Sequence, residues 1–386
     1  MISRSLSSVL ANGRKSVLLL GPRQTGKSTL IGSLAPDVAI NLFHEPTFLE
    51  FARNSHELGE RLAVATTSSK RPVHVFIDEV QRLPSLLNTI QVLLDAHPSR
   101  YRFLLTGSSA RRLRRGNANL LPGRVHVYQL GPLTAAELGY AIDTRAALAT
   151  GTLPGIYTEP DVADREKTLR SYAATYLKEE VQAESLSRNL EGFARFLGVA
   201  AEWAGRHLDL SKIAAAAQVA RPTVARYFDV LEDTLLVHRV GPFTRSANRR
   251  LVQHPKFFFF DVGVRNGLLG SFQPDADRIG SLFKQLVFSQ LLSSAYARDR
   301  EIRISSYRTE HGAEVDFIVE IGSSTWALEL KASRHVAKTD LRGLRSFAEI
   351  AGPQHTPLVL CLGSTPRSID GIDVLPWQVG LRRMDL

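Results

Sequence analysis

One stretch decides the fold of the first part of this chain: Val17-Leu18-Leu19-Leu20, followed directly by Gly21-Pro22-Arg23-Gln24-Thr25-Gly26-Lys27-Ser28. The second half of the stretch satisfies the pattern G-x-x-x-x-G-K-[ST] at each fixed position. Thr29-Leu30-Ile31 then opens a predicted helix. A strand, a glycine-rich loop and a helix in this order are typical of a phosphate-binding loop.

The loop residues have separate predicted roles. The glycines let the backbone wrap a polyphosphate, while backbone N–H groups and the helix N-terminus attract negative charge. We expect Lys27 to reach the β- and γ-phosphates of ATP and the Ser28 hydroxyl to ligate Mg²⁺. The predicted nucleotide-binding residues are Gly21, Pro22, Arg23, Gln24, Thr25, Gly26, Lys27, Ser28 and Thr29.

A second apolar run, Val73–Ile77, ends in the carboxylates Asp78 and Glu79. An aspartate at the end of a buried strand can hold Mg²⁺ through water and Ser28. The adjacent Glu79 can polarise the attacking water, so it is the candidate catalytic base. The spacing from the glycine loop therefore predicts an acidic partner for the nucleotide site.

A further strand, Arg102–Thr106, ends in the polar tip Gly107-Ser108-Ser109. Thr106, or a serine that follows it, is a candidate for positioning the water, and a simple turn is the alternative. The alternation of strands and helices from 17 to 130 predicts an α/β fold with a doubly wound parallel sheet.

These motifs carry a family resemblance. The stretches Asp78-Glu79-Val80-Gln81, Thr106-Gly107-Ser108-Ser109 and Pro122-Gly123-Arg124 resemble a group of prokaryotic AAA-type ATPases. The resemblance implies ATP hydrolysis with Mg²⁺. It also implies an arginine that reaches the nucleotide of a neighbouring subunit in a homo-oligomer. Arg124 is the candidate, Arg111–Arg115 are rivals, and a solvated or DNA-facing arginine cluster is the alternative.

Length, composition and charge limit the classes of protein to which this chain can belong. At 386 residues the chain is expected to form two to four domains. It has no apolar run near the roughly 20 residues that a membrane helix needs, and a single cysteine suits a reducing cytoplasm. The formal charge of +10 favours a polyanionic partner, with DNA expected first. A basic protein without such a partner is the alternative.

The middle of the chain predicts two helical parts. The segment Gly151–Gly155 contains residues that break helices, and it predicts a hinge. The segment 163–206 predicts a helical lid that would move about this hinge. Leu208–Val240 predicts a winged helix whose first helix opens with a serine cap, Ser211. Its second helix would present Arg221, Thr223 and Arg226 to DNA. Contact with a protein partner is the alternative, because winged helices also serve that role.

The C-terminal part carries Asp316 on one predicted strand and Glu329 and Lys331 on the next. This arrangement resembles the D…E-x-K signature of the restriction-endonuclease-like fold. Two carboxylates can hold Mg²⁺ while the lysine steers or deprotonates water beside a phosphodiester. Lys284 and Gln290 stand where related proteins carry acidic residues, which leaves a nuclease-shaped binding module as the alternative.

Together these observations predict four parts: a P-loop AAA-type ATPase domain (1–150), a helical lid (151–206), a winged helix (207–255) and an α/β nuclease-like domain (256–386). The predicted function is a cytoplasmic ATPase that couples nucleotide state to binding of DNA or a protein partner. The alternatives are an ATP-regulated, metal-dependent nuclease and a non-catalytic, nucleotide-gated regulator in a defence or toxin–antitoxin system.

Overall fold

The computed structural model describes residues 2–54, 56–66, 71–108, 121–183, 190–243, 254–351 and 354–386. They form two compact units, one built mainly from residues up to Gly131 and the other mainly from Pro132 onward. The boundary thus falls at Gly131 rather than at 150. The candidate arginines Arg111–Arg115 and the candidate Ser109 lie outside the described residues.

A parallel five-stranded sheet forms the centre of the first unit, in the order β2-β3-β4-β1-β5. This confirms the parallel sheet expected from the sequence. The elements are α1 (Leu6–Asn12), β1 (Ser16–Leu20), α2 (Lys27–Gly32), β2 (Val38–Asn41), α3 (Glu45–Arg53), α4 (Glu57–Thr66), β3 (Val73–Asp78), α5 (Leu86–Ala96), β4 (Tyr101–Gly107) and β5 (Val125–Gln129).

Both faces of this sheet are covered. Every residue of β1 is buried, and alternate residues enter different clusters: Val17 and Leu19 join one, Leu18 and Leu20 the other. Successive side chains on a strand point to opposite faces, so the apolar run of β1 is a strand buried on both sides.

The strand β4 lies between β1 and β3 in the sheet. Leu104 pairs with Val17 on one side and with Phe76 on the other. The three strands are parallel, so their carboxyl ends meet at one edge, where open α/β sheets bind ligands. This edge carries the glycine loop, the acidic pair and Thr106.

Helices make up the first part of the second unit. They are α6 (Thr144–Thr150), α7 (Pro154–Tyr157), α8 (Val162–Ala183), α9 (Leu190–Trp203), α10 (Leu210–Ala217), α11 (Arg221–Asp233), α12 (Val262–Leu269) and α13 (Ala276–Ala297). An aromatic core joins them: Phe193 and Phe196 on α9 pack against Tyr227 on α11, with ring centroids 4.8 and 5.2 Å from it. None of the helices in the described ranges is long and apolar enough to cross a membrane.

The helix–turn–helix expected from the sequence corresponds to α10 and α11. Its cap differs: Asp209, not Ser211, accepts hydrogen bonds from the backbone N–H groups of Ser211 and Lys212 at 3.1 Å each. A carboxylate one residue before the helix reaches these N–H groups, which a serine inside the first turn does not. Gln218 ends α10 in the left-handed conformation.

A second sheet of eight strands completes this unit, in the order β12-β13-β11-β10-β9-β8-β6-β7. The strand predicted as a wing, β6, pairs antiparallel with β7 and parallel with β8, so it belongs to this sheet. The remaining elements are β6 (Val237–Pro242), β7 (Lys256–Phe259), β8 (Ile302–Arg308), β9 (Glu314–Ile321), β10 (Ser324–Lys331), α14 (Arg342–Ala351), β11 (Thr356–Cys361), β12 (Arg367–Ile369), β13 (Ile372–Pro376) and α15 (Trp377–Arg383).

The segment predicted to be a hinge is held tightly inside the second unit. The backbone N–H of Thr152 donates to Asp261 Oδ2 at 3.0 Å, and its carbonyl accepts from Leu133 at 2.9 Å. A Cβ at Gly151, which has a φ of 71°, would lie 2.2 Å from the Asp261 carboxylate. The hinge at 151–155 stays a prediction, and close packing against Asp261 is a separate reason for a glycine at position 151.

Candidate nucleotide-binding site

The glycine loop owes its shape to close backbone contacts. A Cβ at Gly21 would lie 2.3 Å from the carbonyl oxygen of Leu130. Gly26 has a φ of 88°, in the left-handed region where glycine carries little strain. The Thr25 hydroxyl donates to the Pro22 carbonyl at 2.9 Å. Both fixed glycines of the motif are thus explained: a side chain at Gly21 would clash with the backbone, and Gly26 has a positive φ.

The buried Arg4, which lies just before α1, is hydrogen-bonded to the backbone of this loop. Its guanidinium donates to the carbonyl oxygen of Thr25 at 2.7 Å and to that of Gly131 at 2.9 Å. The planar, multi-donor guanidinium suits such a double contact. Sequence reasoning missed Arg4, because it lies far from the motif and resembles any basic residue near a terminus.

Lys27 begins α2 with its ammonium buried in the loop. Its Nζ donates to the carbonyl oxygens of Gly21 and Pro22, at 2.9 Å each. Burial lowers the pKa of Lys27 to about 8, while the nearby Glu79 and Asp78 act in the opposite direction. The ammonium therefore remains mostly charged at neutral pH, as phosphate binding requires.

Ser28, Asp78 and Thr106 form a hydrogen-bonded chain that joins the start of α2 to the ends of β3 and β4. The Ser28 hydroxyl donates to Asp78 Oδ1 at 2.9 Å, and the Thr106 hydroxyl donates to the same oxygen. Thr106 also accepts from the backbone N–H of Glu79 at 3.1 Å. In this geometry Thr106 positions the two acidic residues, whereas the sequence suggested that it positions water.

The Glu79 side chain is held by two polar neighbours. Gln81 Nε2 donates to Glu79 Oε2 and also to the Ser108 hydroxyl at 2.9 Å, while that hydroxyl donates to Glu79 Oε2 at 3.3 Å. Glu79 itself has a φ of 57°, an uncommon backbone conformation that often marks functional residues. The Gln81 Oε1 atom is buried and has no hydrogen-bond partner among the described residues.

A cavity of about 370 Å³ opens over these groups. Its lining includes Lys27, Ser28, Asp78 and Glu79, so the structure brings together the loop and the acidic pair as expected. Hydroxyl and carboxylate oxygens are ligands that Mg²⁺ prefers, and the Ser28–Asp78 pair supplies both types. Within the described residues there is no group of three or more acidic, histidine or cysteine side chains that could hold a metal.

Two lining residues were missed by sequence reasoning: Asn41, at the end of β2, and Phe43. Phe43 is 57% exposed, which is high for a large aromatic side chain. The signal that could have identified them is position, because a parallel neighbour of β3 must end at the same edge of the sheet.

Arg124 lies outside this cavity. Its Nε and Nη2 atoms donate to the two carboxylate oxygens of Asp95 at 2.6 and 2.9 Å. The hydrogen bond from Arg124 lowers the pKa of Asp95. A role in a neighbouring subunit would require Arg124 to leave this pair, so the arginine finger remains a proposal.

The second candidate site lies in the other unit, on β9 and β10. The carboxylate of Asp316 is paired with Lys284 and accepts from the Leu330 N–H at 3.0 Å. Glu329 is paired with Lys331 at 3.0 Å. Burial, assisted by Asp316, raises the pKa of Glu329 to about 7. Asp316, Glu329 and Lys331 are thus close together, but the Lys284 ammonium occupies the carboxylate that a metal would use.

Gln290 is also buried, with its amide bound to backbone rather than facing Asp316. Its Oε1 accepts from the Ala135 N–H at 2.7 Å, and its Nε2 donates to the Leu133 carbonyl at 3.0 Å. It has a structural role in this position.

Comparison with known families defines the class of the first unit. Residues 13–139 match the family model described as an AAA domain. The first unit is therefore an AAA-type, ATPase-like domain with a P-loop. Residues 142–275 and 279–379 match two models described as domains of unknown function, DUF8612 and DUF4143.

Individual relatives extend the match along the chain. Uncharacterized proteins of Mycobacterium tuberculosis and Mycobacterium bovis are each 28% identical over 322 residues, which cover 82% of this chain and 70% of the relative.

Solved structures give more distant matches. The structure of PCH-2 from C. elegans has 14% identity and a TM-score of 0.23, covering 59% of this chain and 64%, less than two thirds, of PCH-2. Can2 from Sulfobacillus thermosulfidooxidans, solved with cyclic tetra-adenylate, has 10% identity and a TM-score of 0.21, covering 95% and 97%.

Proposed function

We propose that this protein binds ATP with Mg²⁺ in the cavity over the glycine loop, hydrolyses it, and couples its nucleotide state to binding of DNA or a protein partner. The observation that carries the proposal is the convergence of Lys27, Ser28, Asp78 and Glu79 on one cavity at the carboxyl edge of a parallel sheet. Each side chain matches a task in phosphoryl transfer.

The roles follow from the contacts. The Lys27 ammonium can shift from the loop carbonyls to the phosphate oxygens, with the backbone N–H groups of the loop beside it. Ser28 and Asp78 would hold Mg²⁺, which neutralises the phosphate charge when bound. Glu79, oriented by Gln81 and Ser108, is placed to accept a proton from the attacking water. Thr106 keeps the two carboxylates in register.

Paired variants test this assignment. Glu79→Gln is expected to bind ATP with unchanged affinity while kcat falls by about 100-fold or more, because a general base is lost. Lys27→Ala is expected to abolish binding. Glu60→Gln, an exposed change on α4, is the matched control. The assignment of Glu79 fails if Glu79→Gln hydrolyses ATP at the wild-type rate.

For the second unit we propose binding rather than cleavage of its partner. The supporting observation is the Lys284–Asp316 pair, since a lysine at that carboxylate competes with a catalytic metal. The ATP-regulated nuclease is the second candidate, supported by the proximity of Asp316, Glu329 and Lys331. Incubating DNA with the protein, ATP and Mg²⁺ or Mn²⁺ distinguishes them: cleavage that is lost in Asp316→Ala would establish the nuclease.

A further inference from the structure

A second cavity, of about 700 Å³, lies within the second unit beside α12 and α13. Its lining includes four basic residues: Arg206, Arg265, Arg278 and Lys284. Arg206 follows α9, Arg265 lies on α12, and the other two lie on α13. The volume falls in the range of small-molecule sites.

Arg265 is the most unusual of these residues, because its side chain is buried and has no acidic partner among the residues that the structure describes. The residue is only 4% exposed. Its Nε donates to the carbonyl oxygen of Ala201 at 2.8 Å, and its two terminal nitrogens reach the Ser281 hydroxyl only at 3.4 Å. These contacts use three of the five N–H donors of a guanidinium. Burial of a charge without a counter-charge is costly.

The hydrogen-bond acceptors of Arg278 in the described part of the chain are all neutral. Its Nη1 donates to the carbonyl oxygen of Ser271 and to that of Gln273, at 3.1 Å each, and its Nη2 donates to Asn266 Oδ1 at 2.7 Å. These acceptors hold the side chain in place but leave its charge uncompensated. Burial, followed by the positive charges of Arg278 and Arg206, lowers the pKa of Arg265 to about 10, so Arg265 still carries its charge at neutral pH.

The acidic residues nearby do not neutralise this cluster. Glu202 and Asp277 line the cavity, but both are exposed and, within the described residues, neither lies within ion-pair distance of an arginine. Over the described ranges, Lys284 is the one basic residue of the four that has an acidic partner, Asp316. The cavity thus presents three arginine charges without a described counter-charge.

We propose that this cavity binds a phosphate-bearing anion, with Arg265 and Arg278 contacting the phosphate and Arg206 at the exposed side. The N–H groups of an arginine guanidinium can donate in pairs to the oxygens of a phosphate. Because hydrogen bonds already hold the guanidinium of Arg278 in place, this side chain loses little conformational freedom when a phosphate binds. The site is separate from the glycine loop, and the proposal does not depend on ATP binding there.

The test uses the full chain carrying Lys27→Ala, so that the glycine loop does not compete for phosphate. Isothermal titration with pyrophosphate, in a buffer free of phosphate and sulfate, is expected to show saturable binding. Arg206→Gln and Arg278→Gln should each weaken it by about tenfold or more, as expected for loss of a charged hydrogen bond. Arg345→Gln, on the surface of α14, is the matched control and should change nothing. Equal affinity in all variants, or no saturable binding, overturns the proposal.

Arg265→Met gives an independent readout through thermal unfolding. Because the substitution removes a buried, uncompensated charge, Tm without ligand is expected to stay the same or rise, while the rise in Tm caused by pyrophosphate disappears. A lower Tm together with an intact pyrophosphate response would show that Arg265 is a structural residue and overturn its assignment.

The same variants distinguish two sources of the phosphate. A short oligodeoxynucleotide with a 5′-phosphate is compared with one that ends in a hydroxyl group. Preference for the phosphorylated end, lost in Arg278→Gln, supports a nucleic-acid terminus, and binding of pyrophosphate alone supports a small phosphorylated ligand. Binding of both oligonucleotides that is unaffected by Arg278→Gln would contradict the proposal.

Discussion

At the scale of single residues, burial of Lys27 in the candidate nucleotide site is opposed by the negative charges of Glu79 and Asp78. Lys27 lies in the loop with a lowered pKa, and two carboxylates on the next motif face it. The same Asp78 oxygen accepts from both Ser28 and Thr106. The predictions at this scale therefore concern the protonation state of Lys27 and the hydroxyl of Thr106.

Proton uptake on ATP binding is expected from Lys27. With a pKa of about 8, the ammonium is half protonated at pH 8, and a bound triphosphate favours the charged form. Binding at pH 8 should take up about half a proton, with much less at pH 7. Calorimetry in two buffers of different ionisation enthalpy measures this number. An observed heat that does not depend on the buffer at pH 8 would contradict it.

Replacing Thr106 with valine removes a donor to Asp78 and the acceptor for the Glu79 N–H. Thr106→Val is expected to lower stability by about 1–3 kcal/mol, because a buried N–H loses its partner. It should also reduce kcat more than ATP affinity. Chemical denaturation and steady-state kinetics measure the two effects, and Thr47→Val is the control, since this half-buried threonine of α3 has its hydroxyl bonded to the exposed His44. A kcat equal to wild type would mean that Thr106 does not align the acids.

At the scale of helices and strands, the N-terminus of α12 is anchored by one buried carboxylate. Asp261 accepts from Val264 N–H at 3.1 Å and from Thr152 N–H at 3.0 Å, and thereby joins α12 to the segment after α6. Asn266, one turn along α12, donates to the carbonyl oxygens of Leu148 and Ala149. These contacts explain why residues 132–150 belong to the second unit.

Burial raises the pKa of Asp261 to about 6, although three backbone N–H groups favour the charged form. The folded state therefore binds a proton more readily than the unfolded state. The contribution of this group to stability is complete below about pH 4 and is lost as the pH rises through 6. Denaturation of wild type and Asp261→Ala at several pH values should show this dependence only in wild type.

The variant Asp261→Ala is also expected to lower stability, by about 2 kcal/mol near pH 4, because the cap and two buried N–H partners are lost, and this loss should become smaller as the pH rises through 6. Asp143→Ala, at the N-cap of α6, is an exposed comparison with the same chemistry. Equal effects of the two changes would contradict the role given to burial.

The sequence predicts the local features well and the distant contacts poorly. The glycine loop and the acidic pair are short motifs with fixed spacing, so the parallel sheet around them could be inferred. The Asp261–Thr152 contact joins residues 109 apart in sequence, and the pairing of β6 with β8 depends on long-range register. Neither of these two contacts produces a recognisable pattern in the local sequence. The Arg124–Asp95 pair was missed for the same reason.

At the scale of the whole molecule, the net charge of +10 is the feature that points to a polyanion. Arg221 and Arg226 are both exposed on α11, where the sequence expected DNA contact. Arg221→Gln and Arg226→Gln should each weaken DNA binding and reduce the slope of log K against log salt by about one. Fluorescence anisotropy at several salt concentrations measures this, with Arg345→Gln as control. Slopes equal to that of the control would exclude α11 as the DNA-contacting helix.

The nuclease-like site offers a further test. Lys284→Glu adds a carboxylate beside Asp316 and Glu329, so the variant is expected to be less stable without metal and to recover on addition of Mg²⁺. Lys284→Ala removes the ammonium without adding a ligand and should not respond to metal. Thermal unfolding in EDTA and in Mg²⁺ compares them. The same Mg²⁺ response in Lys284→Glu and Lys284→Ala would show that the three acids do not form a metal site.

The double contact of Arg4 has a mechanical consequence. The planar guanidinium of Arg4 donates to the carbonyl of Thr25 in the glycine loop and to the carbonyl of Gly131, after which the second unit begins. Because one side chain joins the two carbonyls, a change in the position of Thr25 would also disturb the hydrogen bond to Gly131. Loss of the Arg4 side chain is therefore expected to loosen the glycine loop and the end of this segment of the first unit together.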